Sequence, residues 1–265
     1  MWYQIKSYVN FLLKSNNQHG IHSPFVYDLI TKCFYDKKDY SVYSEIKNYR
    51  NKLFQNHETI EVTDFGVGSR VFKSNKRKVS AIAKNAGITT KRQQLLFRLV
   101  KYFNSENVLE LGTSLGLGTL VMAIANPSAR IVTIEGCPNT SRVAQHYFDE
   151  FKLKNIEIHN TTFEEYFSNY PSEKYDLVYV DGNHSKENTL NYFEKLLNQV
   201  DSNSVLIFDD IYWSPEMTEA WQQIIQHPKV TVSIDTFYWG LIFFRPAYRN
   251  QGRKEQDKQH FIIRL

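Results

Sequence analysis

The segment Val108–Thr119, VLELGTSLGLGT, constrains this 265-residue chain more than any other. An apolar run carries Glu110 near its end and is followed by Gly112, Gly116 and Gly118, with Thr113 and Ser114 between them. The pattern predicts a strand, a tight turn and a helix starting near Leu117. Glycine lets a backbone turn sharply and approach a ligand where a Cβ would clash. The first N–H groups of the following helix have no partner inside it and aim back at the turn. Doubly wound α/β sheets repeat this unit and bind ligands at the carboxyl ends of their strands.

The rest of the chain repeats the alternation. Strands are expected near 107–111, 130–135, 155–159, 175–180 and 203–208, and helices near 117–125, 139–151, 162–168, 186–198 and 215–226. Alternation of this kind implies parallel strands joined by right-handed crossovers. The runs Val230–Phe237 and Trp239–Phe244 have almost nothing between them, and only an antiparallel hairpin fits so short a link. Residues 260–265 offer a last short strand, and 246–259 read as a polar loop. Upstream, helices are expected near 2–14, 24–34 and 41–56, a basic helix near 76–85, and a capping box at Thr90–Gln93 that opens a helix with Leu95, Leu96, Leu99, Val100 and Phe103 on its core face. The expected organisation is an N-terminal helical extension over 1–90 and a sheet domain over 91–265.

Glycine spacing narrows the ligand. The dinucleotide fingerprint is G-x-G-x-x-G. Here the order is G-x-x-x-G-x-G, with Glu110 two places before the first glycine. Glu135 ends the second strand 23 positions past Gly112, where an acidic residue suits the two hydroxyls of a ribose. These residues resemble motif I and the ribose-binding acid of class I S-adenosylmethionine (SAM) dependent methyltransferases, especially the catechol O-methyltransferase-like group, over about residues 91–245. The resemblance implies a seven-stranded sheet of order 3-2-1-4-5-7-6 with its last strand pair antiparallel. It also implies cofactor binding by Glu110, Gly112, Thr113, Ser114, Gly116, Gly118, Glu135 and Asp181, with Thr162 and Phe163 beside the adenine.

Two further strand ends are acidic. Tyr175–Val180 leads into Asp181-Gly-Asn-His184, and Ser204–Phe208 leads into Asp209-Asp210. In a doubly wound sheet these ends open onto the crevice of the glycine turn. The resemblance makes Asp181, Asp209 and Asp210 the ligands of a divalent cation, and hard oxygen donors suit Mg2+, Mn2+ or Ca2+. The family's catalytic lysine falls on His184, while Lys186 lies two residues further on. Histidine can accept a proton at neutral pH, so His184 is the candidate general base with Asp181 beside it. The plainer alternatives are a histidine that fixes the loop and aspartates that cap turns. Tyr212 and Trp213 are candidates for a substrate wall, and Trp239 at the hairpin is a further aromatic nearby.

Composition bounds what remains. No apolar run approaches the roughly 20 residues of a bilayer span. Cys33 and Cys137 make no disulfide framework, and the N-terminus lacks the form of a signal peptide, so a cytoplasmic location is expected. The formal charge is +4, much of it at Arg70, Lys73, Lys76, Arg77 and Lys78. No nucleic-acid-binding module accompanies that run, so a small-molecule acceptor is the expected partner. The resemblance implies that the N-terminal helices form a cap or a homodimer face. The competing readings are an RNA or protein methyltransferase and a SAM-binding regulatory protein without turnover.

Overall fold

Helical periodicity becomes packing in the helix Thr90–Phe103. The computed structural model describes residues 2–66, 68, 72–245 and 258–265. The chain opens with α1 (Trp2–Lys14) and α2 (Pro24–Leu29), the latter running on as a π-helical turn through Phe34. Then come α3 (Tyr43–Gln55), β1 (Thr59–Glu61), β2 (Lys76–Lys78), α4 (Val79–Asn85) and α5 (Thr90–Phe103). Leu95, Leu96, Leu99 and Val100 of α5 are buried, at the spacing that makes one helical face. The cap lies one residue earlier than expected. Thr89 accepts from the Arg92 N–H, and Gln93 instead donates its side chain to the Leu117 carbonyl.

Contacts divide the chain into two compact units, Asp28–Tyr170 and Met1–Tyr27 with Pro171–Leu265. The 28–170 unit carries β3 (Asn107–Leu111), α6 (Leu117–Ala125), β4 (Arg130–Ile134), α7 (Pro138–Glu150), β5 (Ile156–His159) and α8 (Phe163–Asn169). β3 pairs parallel with β4, and β4 with β5. β3 and β4 are buried on both faces over their last four residues, as parallel strands covered by helices must be. The basic run is not a helix from residue 76. Lys76–Lys78 pair antiparallel with Thr59–Glu61, and only from Val79 does α4 begin. Glu61 faces Lys76 across that pair, an opposite-charge match that favours the strand. Arg77 is held by Asp64 at 2.9 Å; Arg70 and most of the expected polar loop at 246–259 lie outside the described residues.

The other unit carries β6 (Leu177–Val180), α9 (Lys186–Leu196), β7 (Val205–Asp209), α10 (Pro215–Gln226), β8 (Val232–Asp235), β9 (Trp239–Phe243) and β10 (Gln259–Ile262). Its strand order is β6-β7-β9-β8-β10, with β9 antiparallel to both neighbours and β10 parallel to β8. The first four match the expected 4-5-7-6, and β10 is an added strand. Ser214 caps α10 through the Met217 N–H, and Trp221 of that helix packs so closely on Gly240 that a Cβ there would lie 2.5 Å from its ring. α1 belongs to this unit. Its Tyr8 and Phe11 meet Phe237 at 4.8 and 5.5 Å, and Tyr3 donates to Thr218.

Candidate functional site

The glycine turn closes on backbone bonds. The N–H groups of Gly112 and Thr113 both donate to the Ile134 carbonyl, at 3.0 and 3.1 Å, and Gly116 N–H returns to the Thr113 carbonyl at 2.8 Å. Gly112 has φ 108° and Gly116 φ 74°, both in the region that glycine enters without strain. At Gly116 space is also lacking. A Cβ would lie 2.4 Å from the Phe148 ring and 2.7 Å from the Tyr49 hydroxyl. That hydroxyl donates to the Leu115 carbonyl, so α3 braces the turn from outside. Gly118 is buried within the first turn of α6.

Glu110 lies behind the turn. It is 1% exposed, and its Oε2 accepts from the hydroxyls of Thr119 on α6 and Thr133 on β4. Thr113 Oγ1 is 2.6 Å from Thr133 Oγ1, which extends the chain of hydroxyls into the turn. Burial pushes the Glu110 carboxyl up to about 8, against the two hydroxyl bonds. Its part in the site is to tie β3, β4, α6 and the turn together.

Glu135 stands at the end of β4 with its carboxylate locked. Ser114 N–H donates to Oε2 at 2.8 Å and Cys137 N–H to Oε1 at 2.9 Å. Ser114 reaches it from a left-handed conformation, φ 49°. Burial raises the carboxyl's pKa, the two N–H bonds oppose the rise, and nearby Asp64 adds to it. A carboxylate has about four lone-pair directions, so each oxygen keeps capacity for another donor. Asn160 fixes the backbone here by donating to the Glu135 and Gly136 carbonyls. Thr162 caps α8 in a capping box with Glu165, which commits its hydroxyl, and Phe163 is half-buried at the first helical position.

In the other unit the acidic strand ends are joined by a residue the sequence reading missed. Tyr179 Oη is 3.1 Å from Asp181 Oδ2 and 3.1 Å from Asp209 Oδ2. Tyr179 and Asp181 are two apart at a strand end, so period-two alternation was the available signal. Asp209 is buried, and its Oδ1 accepts from the Asp210 N–H. His184 Nε2 lies 3.9 Å from Asp181 Oδ1, and its ring is 5.8 Å from the Trp213 ring. Asn183, His184 and Asp210 have φ 68°, 49° and 53°. Such conformations in non-glycine residues cost of order 1–3 kcal/mol each and cluster at functional sites.

The structure separates the aromatic candidates. Trp213 stands by His184, whereas Tyr212 donates to Asp235 and stacks on Phe237 at 5.0 Å. Trp239 is 1% exposed in β9 opposite Asp209, edge-on to Tyr179. Among the described residues no three His, Cys, Asp or Glu side chains are grouped to hold a metal ion. Asp181 and Asp209 come together but through the tyrosine hydroxyl, so the expected three-carboxylate set does not fit as a metal centre.

No curated protein matches the chain. Residues 109–211 match the model of a methyltransferase-domain family. Solved structures are similar over most of the chain. A SAH-bound methyltransferase from Podospora anserina is 12% identical with a TM-score of 0.60, covering 85% of this chain and 97% of that one. An O-methyltransferase from Bacillus cereus in complex with SAH is 18% identical with a TM-score of 0.52, covering 79% and 92%. The O-methyltransferase TomG from Streptomyces achromogenes, involved in tomaymycin synthesis and solved with SAM, is 16% identical with a TM-score of 0.55, covering 79% and 92%. The glycine turn thus sits in the fold of a class I SAM-dependent methyltransferase. Within that class the likeness runs to O-methyltransferases, the group that the sequence resembles. No helix among the described residues is long and apolar enough to cross a membrane.

Proposed function

We propose that this protein transfers the methyl group of SAM to a hydroxyl oxygen of a small-molecule acceptor, with His184 as general base. The observation that carries the reading is Glu135. A carboxylate held by two backbone N–H groups at a strand end, beside a turn built on Gly112, suits a vicinal diol. Bound SAM supplies an activated methyl on a sulfonium. Gly112, Thr113, Ser114, Gly116 and Gly118 shape the bed for its amino-acid part, and Thr162 and Phe163 lie on the adenine side. His184 accepts the acceptor's hydroxyl proton as the oxygen attacks, and Asp181, 3.9 Å away, stabilises the imidazolium. The pair Asp181 and Asp209, fixed by Tyr179, makes a negative field at these strand ends that favours a cationic ligand.

Calorimetric titration with SAM, with NAD as the control ligand, tests the cofactor. Micromolar binding of SAM alone is expected, and equal or absent binding of both overturns the reading. Glu135→Ala is expected to weaken SAM by about 1–3 kcal/mol, the cost of leaving buried donors unpaired. A panel of phenols and catechols then tests the acceptor. Running the panel with and without a chelator tests whether a divalent cation assists by lowering the hydroxyl pKa, with His184 as the proton acceptor in either case.

Tyr179→Phe checks the carboxylate bridge. Removing a hydrogen bond to a buried charged group costs about 1.5–3 kcal/mol, so the denaturation midpoint should fall accordingly. An unchanged midpoint would mean that the hydroxyl does nothing for the two aspartates.

A further inference from the structure

We propose that Phe65 is the aromatic wall of the adenosine site, with its ring stacked against the nucleobase over Gly136. The inference rests on the reading of Glu135 as the ribose anchor and adds a residue from a segment with no glycine-turn motif.

Residues 61–65 run alongside the end of β4 and the start of α7. Thr63 N–H donates to Cys137 Sγ at 3.3 Å, and Asn139 Nδ2 donates to the Glu61 carbonyl at 2.8 Å. Asp64 is held by Arg77 at 2.9 Å. These bonds place Phe65 directly on Gly136, the residue after Glu135. A Cβ at Gly136 would lie 2.7, 2.8 and 3.3 Å from three carbons of the Phe65 ring, so only glycine allows this approach. The backbone beneath the ring is pinned by Asn160.

Phe65 nonetheless remains 54% exposed. A large apolar ring is docked on Gly136 while more than half of the residue's surface is exposed. The ring lies on the residue that follows Glu135, the carboxylate that suits ribose hydroxyls and from whose sugar the base extends. A flat π face takes an adenine at low conformational cost, because base and ring each lose few rotatable bonds.

Calorimetry with S-adenosylhomocysteine and with 5′-methylthioadenosine, which lacks the amino-acid part, tests this on the full chain. Phe65→Ala is expected to weaken both ligands by the same factor, about tenfold for one lost stacking contact. Phe65→Trp should retain affinity. Gly136→Ala, which pushes the ring aside, should weaken binding in the wild type but add little in the Phe65→Ala background. The thermal midpoint of ligand-free Phe65→Ala should match wild type, since the ring is largely exposed. Wild type that binds neither ligand overturns the cofactor reading itself. Wild type that binds, with Phe65→Ala equal or tighter, overturns only the wall; tighter binding would mean that the ring occupies the base's place. A loss confined to S-adenosylhomocysteine would equally rule out contact with adenine.

Discussion

Replacing His184 with alanine is expected to lower methyl-transfer turnover by about 10²–10⁴-fold while SAM affinity stays near wild type. That range is the ordinary contribution of a positioned general base. The split between turnover and binding follows from the geometry. His184 is held by its own turn, with its N–H on the Gly182 carbonyl, its ring by Trp213 and Asp181 3.9 Å from Nε2. The residues assigned to the cofactor are others. Steady-state rates with a hydroxyl acceptor, across pH 5–9, read the effect. Added imidazole should restore part of the rate. Normal turnover in His184→Ala would remove the histidine from the chemistry.

The second large effect is on stability against pH, at Glu110. Its carboxyl ordinarily ionises near 4.5, and burial in the fold moves it to about 8. Below about pH 4.5 both folded and unfolded chains carry the proton. Between about 4.5 and 8 the unfolded chain has lost it and the folded chain keeps it, so stability falls as pH rises by up to about 1.4 kcal/mol per unit. Above 8 both forms are ionised and no further loss comes from this group. Glu110→Gln keeps an acceptor oxygen for Thr119 and Thr133 but never ionises. Its stability should therefore decline more slowly across that window, and it should exceed wild type at pH 8 by several kcal/mol. Asp235, also raised by burial, remains in both proteins and cancels in the comparison, whereas Glu135, whose charge helps raise the Glu110 carboxyl, is part of the effect. Urea unfolding at pH 5, 6, 7 and 8 reads the difference. Parallel curves would show that Glu110 is ionised in the folded state.

The glycine turn was legible because its two positive-φ glycines sit between an apolar strand and an apolar helix, a pattern with few alternatives. Glu135 followed from chain spacing, since a helix and a loop of fixed length return the second strand's end to the turn. The antiparallel pairing of β8 with β9 followed from the short link at residues 236–238, whereas the order of β6, β7, β9 and β8 came only with the family resemblance. Local composition failed where pairing decides. Lys76–Lys78 carries no periodicity of its own, and the strand exists only because Thr59–Glu61 lies opposite. The burial of Glu110 was hidden because an acidic residue two before the first glycine looks the same whether it meets a ligand or two threonines. Tyr179 was hidden in an apolar strand, where a tyrosine reads as core until its hydroxyl is placed. Phe65 needed the coordinates, since its neighbour Gly136 is 71 residues away in the chain.

One unit draws on both ends of the polypeptide. α1 meets Phe237, Phe25 meets Phe243, and Asn16 bridges to Ile263. During synthesis α1 therefore emerges long before the strands that cover it, more than 200 residues later in the chain, and its aromatic face waits in water for them. Such closure over nearly the full chain is entropically slow. Assembly of this unit should be the late step of folding, and trimming either terminus should injure the same body.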